Sequence, residues 1–414
     1  MKPKRTMRGK ATSFVLATVL GLQAVAMAQS PQKIDVNRMN PTDLLLDKNS
    51  YRYQPRSFYY FHHMDELGFR SDWVRRASQV YPLSEPRGDF SIRYTFHGNE
   101  YSLDDYLQRN FVTGILVLHD DQIVFEKYFH GADENSRFVS MSVSKSIVSI
   151  LVGAAVADGK IKSIDDAVPV YLPYLSASGY RDVTVRQVLE MATAVDYNED
   201  YRDPNSGAAK LGGASVSGNP SFRQYVATMK PTNTKPGTQF QYQSVNTQVL
   251  GLLLEGVTGE PLNQYAEEKL WKKIGAQSDA FFHRGKKQAN ICAFACFNAT
   301  VRDYARVGLM MLNGGKLGGN RVVPESWVHD STTPGADFLK HTDEPGFGYA
   351  YQWWVPGGND GAFEALGIFG QSIYVNPARH VVIVQTSAWP EAWVPTLAEE
   401  DAVVDEAIAR AVGR

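Results

Sequence analysis

The tetrapeptide Ser142-Val143-Ser144-Lys145 sets a hydroxyl and an amine three residues apart, and on an α-helix that spacing puts both on one face. An amine beside a serine can take the hydroxyl proton, which is what attack on an acyl carbon needs. The pattern alone is weak, because Ser30-Pro31-Gln32-Lys33 fits it equally. Context separates the two. Ser30 stands before a proline at a candidate processing site, whereas Ser142 stands where a strand and loop enter a long apolar helix. A helix N-terminus there offers unpaired N–H groups and a positive dipole end to a developing oxyanion. The plain alternative is a capping serine with Lys145 solvated, a task that Ser140 or Ser144 would do as well.

A second element is Phe240-Gln241-Tyr242-Gln243-Ser244-Val245-Asn246-Thr247, which runs into an apolar helical stretch. Tyr242 and Ser244, two apart on a loop, can both point into one cleft; Tyr242 then relays a proton and Ser244 holds Lys145 or the substrate. Tyr197, Tyr201, Trp353 and Trp354 are candidates for an aromatic wall suited to apolar acyl chains, with core packing the simpler reading of each. Asp196, Glu199 and Asp200 form an acidic loop, read as a solvated turn, with contact to an amine terminus as the alternative. His62-His63 with Asp65 lacks any accompanying metal motif such as HExxH and is expected on the surface or in packing. Cys292 and Cys296 are the only cysteines; they could pair in an oxidising compartment, but adjacent helical turns give poor disulfide geometry and close a trivial loop, so two buried thiols are the favoured expectation. No Gly-x-Ser-x-Gly elbow exists, since Gly213-Ala214-Ser215-Val216-Ser217 fails at its last position, and this sets aside a Ser-His-Asp α/β-hydrolase.

These groups need a scaffold. Two apolar runs, Val112 to Leu118 and Ile123 to Phe129, flank Asp120-Asp121 and predict a β-hairpin. From Ser142, apolar residues at Val143, Ile147, Val148, Leu151, Val152 and Ala155 recur every three or four positions, predicting a buried helix that ends near Gly159. Helical patterns continue over Val183 to Met191, Thr247 to Val257 and Arg302 to Leu312. Tyr349 to Val355, Gly367 to Val375 and Val381 to Thr386 read as strands, with Asn376-Pro377-Ala378-Arg379 as a turn and a last helix over Leu397 to Val412. Strands at both ends with helices between them predict one sheet from sequence-distant segments (about 106–130 and 345–390), with a mostly helical subdomain inserted at about 160–340.

Five ordered blocks carry a resemblance: Thr113-Gly114-Ile115-Leu116-Val117-Leu118-His119-Asp120; Val143-Ser144-Lys145-Ser146; Tyr242-Gln243-Ser244-Val245-Asn246-Thr247; Asn298-Ala299-Thr300-Val301-Arg302-Asp303-Tyr304-Ala305-Arg306; and Gly367-Ile368-Phe369-Gly370-Gln371. Together, over roughly Leu103 to Ser387, the chain resembles class C β-lactamase-like serine hydrolases of the penicillin-recognising fold, and within them the 6-aminohexanoate-dimer hydrolase and carboxylesterase branch. The resemblance implies an α/β (α+β) fold, an antiparallel sheet flanked by helices. It implies Ser142 as the acylated serine, Lys145 as its amine partner and Tyr242 as the proton carrier. The backbone N–H groups of Ser142 and Ile368 would make the oxyanion hole, and Ser244, Asn298, Gly367 and Tyr197 are substrate-binding candidates. Where penicillin-binding relatives carry Lys-Thr-Gly or His-x-Gly, this chain has Ala365-Leu366-Gly367. The missing cation removes a charge-assisted contact worth about 1.5–3 kcal/mol to an anionic lactam. With Ser244 in place of the usual Asn, this tilts the expectation to small neutral esters and amides. A D,D-peptidase or β-lactamase, or a catalytically silent binding protein on the same fold, is the alternative. Whether Lys145 or a tyrosinate at Tyr242 is the base stays open, because the two titrate as a pair.

A length of 414 residues and 43% hydrophobic content suffice for a large core, and a formal net charge of −2 lacks the basic excess that nucleic-acid binding demands. Lys2, Lys4, Arg5, Arg8 and Lys10, an apolar run from about Ser13 to Val25 and Ala26-Met27-Ala28 read as a secretory leader, residues 1–28, cleaved after Ala28. The run is short for a span and no cysteine follows it to take a lipid. The mature protein is expected in the periplasm or outside the cell without stable membrane insertion. Residues 29–105 form an aromatic-rich extension packed on a hydrolase domain at 106–414. The expected partner is a small ester or amide; no metal or organic cofactor is implied, and the oligomeric state is not indicated.

Overall fold

A computed structural model describes residues 35–36, 47–84, 90–342, 346–358 and 360–413. The expected leader and Ser30 lie outside them. Two short helical turns, Arg56–Tyr60 and Met64–Leu67, come first, followed by β1 (Arg70–Val74), the hairpin of β2 (Arg93–Phe96) and β3 (Asn99–Ser102), and α1 (Leu103–Arg109). Helix α1 starts where it does because Ser102 and Asp105 cap each other's backbone reciprocally.

Asp120-Asp121 turns the chain between β4 (Val112–His119) and β5 (Gln122–Tyr128). Along β4, Leu116 and Leu118 enter one core while Ile115 and Val117 enter another. A strand buried on both faces reads as a continuous apolar run rather than an alternating one, which is how it stands in the sequence. The short β6 (Phe138–Val139) then leads into α2 (Val143–Ala157), buried along nearly its whole length. Beyond it come α3 (Val185–Leu189), α4 (Gly207–Ser217), α5 (Ser244–Thr258), β7 (Ala280–Arg284), β8 (Phe297–Ala299) and α6 (Val301–Leu312). The chain closes with β9 (Phe347–Tyr349), β10 (Trp354–Pro356), β11 (Phe363–Gly367), β12 (Gln371–Asn376), β13 (Val381–Ser387) and α7 (Pro395–Val412).

The expected joining of chain ends is present: one seven-stranded antiparallel sheet runs β9-β10-β11-β12-β13-β4-β5. One face buries Phe363, Ala365, Ile373, Val375, Val382 and Val384 with α2 and α6. The other buries Tyr374, Val381 and Ile383 with α1 and α7.

Three expectations need correction. The stretch Tyr349 to Val355 is two strands, reversing at Gln352, which sits at φ 65°. Gly367 to Val375 is likewise two strands, β11 and β12, reversing at Phe369 (φ 65°) and Gly370 (φ 82°). That turn carries Ile368 and Phe369 instead of polar residues because the segment around Tyr53 and Phe61 covers it, with ring centroids 6.1 and 5.3 Å from Phe369. Third, the region read as mostly helical contains β7 and β8, which form a second antiparallel sheet in the order β1-β7-β8-β6. These strands are short and buried throughout, so no alternation announces them. His62 and His63 pack against each other, against Tyr59 and, for His62, against Phe138.

Candidate active site

Ser142 occupies the N-cap of α2 with φ −70° and ψ −9°, and its hydroxyl makes no capping bond. The preceding Met141 has φ 45°, a conformation that costs a non-glycine residue energy and recurs where a side chain must be presented. One turn on, Lys145 is 1% exposed. Its Nζ donates to Ser142 Oγ at 2.7 Å and to the Phe294 carbonyl at 2.9 Å, and lies 5.1 Å from the centre of the Tyr242 ring. Neither half of the capping alternative holds. Burial pushes the amine down to about 8, against an opposing pull from Glu199.

Helix α2 is pinned on both sides of this pair. Ser144 Oγ donates to the Ala293 carbonyl at 2.8 Å and Ser146 Oγ to the Gln352 carbonyl at 2.6 Å. Ala293 and Phe294 belong to a turn closed by a Cys292–Cys296 disulfide, with Cα atoms 5.6 Å apart. The expectation of two buried thiols is therefore wrong: the segment is a turn, not a helix, and a chain reversal brings the two Cα atoms within bonding range.

Tyr242 is hydrogen-bonded with Ser142, and burial together with Glu199 raises its pKa. Its ring stacks on Trp354, centroids 5.5 Å apart, and meets Tyr349 edge-on at 6.3 Å. Trp354 therefore supports the site, whereas Trp353 is core, 0% exposed against Phe363. Ser244 opens α5 but does not reach for Lys145: its N and Oγ donate to Glu199 Oε2 and Oε1 at 2.7 and 2.6 Å. Tyr201 donates to the same carboxylate at 2.7 Å. Asp196 and Asp200 are exposed as a solvated turn would be, but Glu199 between them turns inward and holds the N-terminus of α5.

Gly367 ends β11 against the nucleophile. A Cβ there would lie 2.7 Å from the Ser140 carbonyl and 3.0 Å from the Ser142 nitrogen. The next residue, Ile368, lines the cavity with Ser142. Among the described residues neither the Ser142 nor the Ile368 amide donates to an acceptor, which leaves two N–H groups for an incoming oxygen. Tyr197 also lines the cavity; its ring packs on Gly207 and its hydroxyl has no partner among the described residues. Asn298, expected to meet substrate, does not line it. From β8 its Nδ2 donates to the Cys296 carbonyl at 2.8 Å and lies 3.0 Å from His283 Nδ1, so it braces the disulfide turn.

The cavity has room for about 90 Å³ and is walled by Tyr51, Arg52, Met64 and Phe69 from the N-terminal segment, by Glu199, and by Phe294 to Cys296. Sequence reasoning missed Arg52, His283 and Phe294, because each reaches the serine only through strand pairing or packing of remote segments. Burial and Arg52 push His283 down to about 3, which leaves it neutral. Among the described residues no group of three or more His, Cys, Asp or Glu side chains could hold a metal.

Comparison with known proteins places the chain in a family. The family model described as Beta-lactamase matches residues 107–401. The 6-aminohexanoate-dimer hydrolase of Paenarthrobacter ureafaciens is 36% identical over 304 residues, 70% of this chain and 76% of that protein. In structure, a Bacillus anthracis protein proposed to be a 6-aminohexanoate-dimer hydrolase superposes with a TM-score of 0.79 at 23% identity, covering 92% of this chain and 98% of that one. A family VIII carboxylesterase superposes with a TM-score of 0.58 at 18% identity, over 74% and 95% of the respective chains. With its antiparallel sheet, flanking helices and this relationship to 6-aminohexanoate-dimer hydrolase, the chain belongs to the beta-lactamase family and is a serine hydrolase of that fold.

Proposed function

We propose that this protein is an exported hydrolase of small linear amides and esters, with Ser142 as nucleophile, Lys145 as base and Tyr242 as proton carrier. The observation that carries the reading is the 2.7 Å contact from Lys145 Nζ to Ser142 Oγ inside a site where the lysine is 1% exposed. A lysine moved from 10.5 to about 8 has its charged form destabilised by about 3 kcal/mol, which brings a usable fraction of free amine near neutral pH. Tyr242 is displaced upward and remains a phenol, so between the two open choices the amine is favoured as base.

In acylation the Ser142 proton passes to Lys145 as Oγ bonds to the acyl carbon, and the oxyanion is received by the Ser142 and Ile368 amides. The bond to the leaving nitrogen or oxygen then breaks as Tyr242 delivers a proton to it, and the lysine ammonium restores the phenol. Water repeats the sequence on the acyl-enzyme. The third-motif strand carries Ala365-Leu366-Gly367 and no cation, so that strand lacks the charged contact expected for lactams and cell-wall peptides, and the 36% identity to a 6-aminohexanoate-dimer hydrolase supports a linear amide. The leader at residues 1–28 supports a periplasmic or secreted site of action, checked by the N-terminal sequence of the mature protein.

The deciding experiment compares p-nitrophenyl butyrate, linear 6-aminohexanoate dimer and nitrocefin as substrates, with Ser142→Ala as control and a fluorophosphonate probe as label. Turnover of ester or amide and labelling, both lost in Ser142→Ala, are expected. Steady turnover by a clean Ser142→Ala preparation would refute the assignment.

A further inference from the structure

The third-motif strand carries no cation, but another part of the chain brings one to the same cavity. Arg52, from the N-terminal segment, lines the same cavity as Ser142 and Ile368. Its guanidinium lies 5.3 Å from the ring centre of Phe369, the residue after Ile368, and Phe369 is itself gripped by Tyr53 and Phe61. The guanidinium is thus held against the turn that supplies one of the two free amides. Its field crosses the cavity, lowering the pKa of His283 and opposing the rise at Tyr201.

Among the described residues no carboxylate takes this charge. Neighbouring cations are paired, Lys48 and Arg202 with Glu391, Arg70 and Arg284 with Asp72, and Arg52 is not. Glu199, the other charged residue lining the cavity, is occupied by Ser244 and Tyr201. A half-buried guanidinium presents a planar fork of donors that matches a carboxylate better than any neutral group.

We propose that Arg52 receives a terminal carboxylate of the substrate, so that the enzyme selects linear amides and esters bearing an acid at one end. This rests on the Ser142 hydrolase reading and narrows its substrate class. The job that the third-motif strand leaves undone is then performed from the N-terminal segment, and the neutral-substrate expectation drawn from Ala365 alone is reversed.

The test uses two pairs of esters that differ only in a masked acid: mono-p-nitrophenyl glutarate against its methyl ester, and 4-acetoxybenzoate against its methyl ester. A charge-assisted pair predicts kcat/KM about tenfold or more in favour of the free acid in at least one pair. That ratio should fall toward one in Arg52→Ala, keep part of its value in Arg52→Lys, and shrink with added salt. Ser142-dependent turnover with no acid preference in either pair would overturn the Arg52 proposal and leave the hydrolase reading standing. A binding arm is independent of turnover: 6-acetamidohexanoate and N-hexylacetamide are titrated calorimetrically into Ser142→Ala and into Ser142→Ala/Arg52→Ala, both checked for cooperative melting. Preference for the acid that disappears with Arg52 supports the proposal even if every ester is silent; equal binding, or none, refutes it.

Discussion

Gly367→Ala isolates the wall of the site from its reactive groups. The added Cβ would stand 2.7 Å from the Ser140 carbonyl, 3.0 Å from the Ser142 nitrogen and 3.1 Å from Gln371 Cβ, where ordinary contact begins at 3.4 Å. Two of these three neighbours are backbone, so no side-chain rotation relieves them, and β11 must retreat by about 0.7 Å. Glycine is needed here for close approach; its φ is not in the left-handed region, so alanine meets no backbone penalty. Overpacking of this kind costs about 1–3 kcal/mol of stability. The same displacement carries the Ile368 amide away from the oxygen it would receive, and loss of one such donor costs about 10²–10³ in kcat. Steady-state kinetics on p-nitrophenyl butyrate with a parallel thermal melt separate the two effects. The expected result is a cooperative melt lowered by a few degrees, and kcat reduced at least a hundredfold at little changed KM. A kcat within threefold of the parent would show that the Gly367–Ser142 approach does not set the oxyanion site.

Three further outcomes follow from the same geometry. Because Lys145 must be unprotonated to take the Ser142 proton and its amine is pushed down to about 8, kcat/KM should rise with pH through an inflection near 8; in Glu199→Gln, which removes the anion favouring the charged amine, the inflection should move to lower pH. A pH profile that is flat between 6 and 9 would refute the amine as base. Cys292→Ala/Cys296→Ala opens a short loop whose closure is worth about 2 kcal/mol and whose Phe294 carbonyl accepts from Lys145, so both Tm and kcat should fall, whereas an unchanged kcat would show that the turn holds its shape unaided. Gly153→Ala within α2 would ordinarily gain about 1 kcal/mol of helix propensity; here its Cβ would sit 2.5 Å from Trp327 Nε1, so destabilisation by about 1–3 kcal/mol is expected in denaturant titration, and a stabilised variant would refute the packing argument.

Local pattern was enough for several elements. The Asp120-Asp121 hairpin, the three-four periodicity behind Ser142 and the long last helix all stand where the sequence implies them, because turn chemistry and helical periodicity act within a few residues. The motif residues likewise announce their types: a serine and a lysine one turn apart at a helix start, and a tyrosine ahead of α5. Whether those types form a site is a different matter. The burial that moves Lys145 depends on the Phe294 carbonyl from a turn 149 residues away. The partner of Ser244 proved to be Glu199, which nothing local distinguishes from Asp196 and Asp200. The turn at Ile368 and Phe369 is apolar only because the N-terminal segment covers it, so a polar turn signal is missing and the two strands read as one. Arg52 joins the serine's cavity through that same packing, and Gly367 lies against the serine through the pairing of β11 in the sheet. Residue type and short-range order are written along the chain, whereas proximity, burial and the pairing of charges come from contacts between distant segments, which only the folded sheet and its covering layers decide.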